Sequence, residues 1–182
     1  MEKSRNDIIT EKAKMRYAEA LKIIGDMYDS VFAKNDAFPY TRVEIFADFD
    51  AYLQAALIKV CYENGNFGEE SMRYIENITD YGKLIEGTDI TFFADCVKDM
   101  RDKLAEKAEE RLKEVSLCFK LSGAVDSGRE VGATKALLDH IIKIAFNLKL
   151  LNGNSDVKNN ADIISALKSI YVFMMANGIS IK

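Results

Sequence analysis

Apolar residues recur every three or four positions through most of this chain. That is the spacing of one helix face, not the alternation of a strand. Ile9, Ala13, Tyr17, Leu21, Ile24, Tyr28 and Val31 form one stripe and predict a first helix over residues 7–33. The pattern breaks at 34–40, around Pro39, the only proline in 182 residues. Proline breaks helix interiors, so its near absence fits a chain built of long helices. A second helix starts at Thr41-Arg42-Val43-Glu44, a capping box in which the Thr and Glu side chains satisfy each other's backbone amides. Ile45, Phe49, Leu53, Ala56 and Val60 carry its stripe, and Asn64-Gly65 predicts its stop.

A short third helix is predicted over 69–81, led by two glutamates and stopped at Gly82. Phe93, Val97, Met100, Leu104, Ala108, Leu112, Val115 and Phe119 then predict one long, charged fourth helix from Thr88 or Asp89 to residue 121. At 1.5 Å per residue it would run roughly 50 Å. Such a helix either projects, pairs with a second copy, or lies in the core between shorter ones. Glycines at 123, 128 and 132 mark the best linker. Two further helices are predicted over 134–151 and 161–176, the former on the widest apolar arc and so expected to be the most buried. Met174, Met175, Tyr171 and Phe173 make the last helix strongly apolar, either as core or as a dimer seam.

The expected fold is therefore all-α: a bundle of six to seven helices with one unusually long central helix. One domain spans 1–182, with 1–122 and 133–182 as sub-units on either side of the glycine loop. A weak internal repeat runs through it. Leu57-Ile58-Lys59-Val60 before Asn64-Gly65-Asn66 matches Ile141-Ile142-Lys143-Ile144 before Asn152-Gly153-Asn154, a helix-turn-helix unit used twice.

Composition and charge narrow the function classes. Apolar residues make up 48% of the chain, enough for a true core. The formal net charge is −4, which argues against sequence-independent nucleic-acid binding. Six lysines and three aspartates give residues 133–182 a charge of +3, leaving −7 on the first 132. A basic terminal third on an acidic body suits an acidic partner. Met1-Glu2-Lys3-Ser4-Arg5-Asn6-Asp7 has no apolar run behind it, so no secretory signal is expected, and no apolar run reaches membrane-spanning length. Cys61, Cys96 and Cys118 are far apart and form no CxxC pair, so a reducing, cytoplasmic compartment is expected.

Catalytic motifs are missing. The glycine loop lacks the GxxxxGK[ST] pattern and follows no strand, so it is no phosphate cradle. His140 is the only histidine and has no acid one turn away. It cannot supply the paired Glu-x-x-His motifs of a di-metal bundle, and a half-buried structural role is expected.

The segment 52–78, YLQAALIKVCYENGNFGEESMRYIENI, resembles the TerB-like family associated with tellurite resistance. Those domains place an apolar helix before an acidic loop and an acidic-led helix, and repeat the unit in an all-helical domain. The resemblance implies cation binding by carboxylates, here Glu69, Glu70 and Asp156, with a divalent cation as the only cofactor. Asn64 and Asn152 stand where the family has a loop acid. No catalytic residue is expected. The leading expectation is a non-enzymatic interaction or scaffold module, with a protein partner or a second copy of itself. The alternatives are a TerB-like cation-sensing module and an enzyme built on scattered carboxylates.

Overall fold

The structure is a computed structural model and describes residues 4–32, 39–126, 132–151 and 160–179. The described residues are helical with no strand, as the spacing predicts. The helices are α1 (Arg5–Phe32), α2 (Arg42–Glu63), α3 (Glu69–Ile78), α4 (Lys98–Leu112), α5 (Leu117–Asp126), α6 (Ala133–Leu151), α7 (Ala161–Ala166) and α8 (Lys168–Ala176). A 3-10 helix, Ile90–Asp95, precedes α4. No helix is long and apolar enough to cross a membrane, among the described residues.

The centre of the bundle is α2, which touches α1, α3, α4, α5, α6 and α7. The capping box forms: the Thr41 hydroxyl accepts from the Glu44 amide, and the Glu44 carboxylate accepts from the Thr41 amide at 2.7 Å. Gly65, at φ 67°, takes the left-handed turn after the helix at no steric cost. Every residue from 52 to 58 is buried, so the middle of α2 has no solvent face. Small side chains at Ala55 and Ala56 let neighbours close in from several sides. This makes α2, not α6, the most enclosed helix. α6 packs along α1 and keeps Asp139 and Lys143 in solvent.

Two predicted helix ends move, each because a side chain from α2 captures backbone. α3 stops at Ile78, three residues early. Asp50, fully buried, accepts from the amides of Asp80 (3.0 Å), Tyr81 (2.6 Å) and Gly82 (3.1 Å), and from the Tyr17 hydroxyl (2.8 Å). In a continued helix those amides would bond to the carbonyls of residues 76–78. One turn on, Gln54 accepts from Leu84 and donates to Thr79, completing the clamp on the 79–84 loop. Gly82 is required there, because a Cβ would collide with the Ala47 carbonyl.

The predicted fourth helix is divided in three. Asp89 caps the 3-10 helix through Thr91, and Cys96 and Val97 are extended before α4 begins. α4 ends at Leu112. Asp48 then accepts from the Ser116 hydroxyl (2.6 Å) and the Leu117 amide (2.7 Å), and pairs with Arg111 (2.7 Å), starting α5 in a new direction. The longest helices are therefore α1, with 28 residues, and the central α2, with 22. The last predicted helix is interrupted at Leu167, giving α7 and α8.

Candidate interaction groove

The residues singled out for cation binding do not converge. Glu69 and Glu70 stand side by side on the first turn of α3. Glu69 pairs with Arg73 one turn on, and Glu70 accepts from Asn6 on α1. Asp156 lies outside the described residues, as do the second Asn-Gly-Asn turn and residues 127–131 of the glycine loop, whose first residues, 123–126, instead continue α5. Among the described residues, no group of three or more His, Cys, Asp or Glu side chains is placed to hold a metal ion. Asn64, at the position where the resemblance expects an acid, instead ties the α2 turn to α7 through Asp162. The other Asp162 oxygen accepts from the buried Lys149 ammonium at 3.0 Å. Burial pushes the Asp162 carboxyl up, but the Asn64 amide and the Lys149 ammonium outweigh it and hold it below the usual value.

Cys96 is half-buried and donates its thiol to the Phe92 carbonyl at 3.2 Å, while the other two thiols and the histidine are silenced. Burial pushes the thiols of Cys61 and Cys118 up to about 12, so neither is a thiolate at neutral pH. His140 faces an acid across the helix interface, Glu19 of α1 at 3.5 Å from Nδ1, but that buried nitrogen makes no hydrogen bond among the described residues. Burial nevertheless lowers its pKa, leaving a neutral, packed imidazole. Four cavities between described residues each hold one acid, namely Glu109, Asp80, Glu86 or Asp139. Acid–base work by paired carboxylates needs two acids facing one substrate.

The largest of those cavities, about 680 Å³, is an open groove where α8 passes the end of α4. Its walls are built in a definite way. Leu112 and Val115 supply one side, where Asp48 turns the chain from α4 into α5. Val172, Phe173 and Ala176 of α8 supply the other. The position of α8 is set from beneath. The buried Tyr52 hydroxyl bonds to Ser169 at 2.9 Å, and the Arg111 guanidinium lies 5.2 Å over the Tyr52 ring. Phe173 leans on Gly123 of α5, where a Cβ would sit 2.7 Å from the ring. Of the apolar side chains of α8, Ile170 and Met174 face the core, while Val172 is 57% and Met175 70% exposed. The last helix is thus part of the core on one face and apolar toward solvent on another.

Charge rims this floor. Lys59, Lys113 and Lys168 line the groove with one acid, Glu109. Lys59 is held by Glu63 (3.3 Å) and Glu109 (3.4 Å). Lys113 and Lys168 are exposed and have no ion-pair partner among the described residues. The sequence counts Lys168 in the basic terminal third but does not join it to Lys113, because the two lie fifty-five residues apart along the chain. The apolar, solvent-facing side of α8 was the available signal. Comparison with protein-family models, with curated proteins and with solved structures finds no match to this chain.

Proposed function

We propose that this chain is a non-enzymatic helical interaction module that seats an acidic, apolar segment of a protein partner in the groove beside α8. The observation that carries the reading is the groove's make-up: an apolar floor at Val115, Val172 and Phe173 beneath the ammonium groups of Lys113 and Lys168, which have no ion-pair partner among the described residues. A protein segment binds such a surface by burying apolar side chains and setting acids against the rim, which adds rate and orientation. The buried thiols of Cys61 and Cys118, the packed histidine and the single acid in each of those four cavities support a binding role over a catalytic one.

The test is a titration of isotope-labelled protein with a synthetic amphipathic peptide carrying leucine on one face and glutamate on the other. The expected result is saturable shifts of the amides of Val115, Ser169, Val172 and Phe173, abolished by Val172→Asp. Shifts scattered over the molecule, or none at the groove, would overturn the reading.

A further inference from the structure

The segment that fits this groove is on the chain itself. Residues 86–97, EGTDITFFADCV, carry three acids and no base. They also expose two large apolar side chains, Phe92 at 59% and Val97 at 71%. Phe92 packs edge-on against the neighbouring Phe93 ring, 5.6 Å away, and leaves its other side to solvent. Asp89 is used as a cap. Glu86 and Asp95 are exposed and without an ion-pair partner among the described residues. The segment thus exposes apolar side chains and free acids, the chemical converse of the groove, with exposed Lys98 following it and the Arg101 guanidinium donating to its Ala94 carbonyl.

We propose that the protein self-associates head to tail, the groove of one copy seating the 86–97 segment of the next. The inference rests on the reading of the groove as a docking surface. Geometry separates the two halves within one chain. The 86–97 segment leads into the start of α4, and the groove lies at its end. The 15 residues of α4 hold them apart by roughly 22 Å. The halves meet only between copies. A contact of this heterologous kind leaves one groove and one segment free at the ends of each pair, so association continues into short chains or closes into a ring. The segment is small against a standard interface of about 800 Å² per partner, so the contact is weak and concentration-dependent.

The test uses two charge reversals at exposed positions. Lys113→Glu with Lys168→Glu makes the groove rim acidic. Glu86→Lys with Asp95→Lys makes the segment basic. The expected result, by sedimentation velocity at low ionic strength, is a wild-type mass that rises with concentration. Each double variant alone is expected to associate at least about tenfold more weakly, because like charges then face each other. An equimolar mixture is expected to regain association, since each variant's groove is complementary to the other's segment. Circular dichroism confirms that both variants keep the fold. A mixture no more associated than its components overturns the proposal. So does a wild-type protein that is monomeric throughout. If the acidic peptide still shifts the groove amides in that monomer, only head-to-tail pairing falls, and the docking reading stands.

Discussion

Asp50 shows what one residue decides. Its carboxylate is buried in a helix otherwise lined by Phe49, Tyr52 and Leu53, yet all of its bonds are to donors. Burial raises its pKa, and the amides of residues 80–82 and the Tyr17 hydroxyl oppose that rise. Asp50→Ala is expected to cost about 3 kcal/mol, because buried donors lose their acceptor together. Denaturant unfolding measures that cost. Hydrogen exchange should show faster exchange at residues 80–82, with the amides of α6 little changed. Asp162 works in the opposite direction. Its folded pKa lies below the usual 3.8. It therefore contributes stability above that value and loses it as the pH falls through the lowered one. Asp162→Asn is expected to flatten the acid limb of stability against pH below about pH 4. Neither role could be read along the chain. An aspartate beside a phenylalanine in a helix reads as surface charge until its distant partner is in view.

Among the elements, the helices were legible and their ends less so. α1, α2 and α6 match the predicted spans closely, because apolar spacing, a capping box and a following glycine are all local signals. The stretch 88–121 shows the limit. Its apolar stripe is continuous, yet Val97 is exposed and the chain turns at 96–97 and again at 113–116. Helical spacing states only that a face is apolar, and two short helices in different directions present the same spacing as one long one. The second turn depends on Asp48, nearly seventy residues away from Leu117. Asp48→Ala is expected to destabilise the protein by about 2 kcal/mol, since Arg111, Ser116 and the Leu117 amide share its carboxylate. Thermal unfolding measures the loss. Repeating the peptide titration on this variant should show weaker binding, because Leu112 ends α4 at that turn and Val115 lies within it.

For the whole molecule, charge placement matters more than charge total. Among the described residues of the basic terminal third, Lys149 is buried against Asp162, Lys143 is paired with Asp139, and Lys168 lines the groove. Folding adds Lys59 and Lys113 from the acidic part of the chain. The opposing acidic patch at 86–97 lies beyond the far end of α4. Self-association driven by these surfaces is expected to weaken as salt rises, since the Debye length falls from about 30 Å at 0.01 M to about 3 Å at 1 M. Light scattering across that range measures it. Association that strengthens with salt would assign the contact to apolar burial alone.

Helix pitch and capping act over a few residues, so local patterning is enough to make the described residues helical, to start α1, α2, α3 and α6, and to choose the faces they bury. Where α3 and α4 stop, which acids clamp backbone, and the sharing of one rim by Lys113 and Lys168 are set by packing between distant elements. Those outcomes depend on side chains reaching backbone and neighbours tens of residues away, and spacing along a single helix carries no record of such distances.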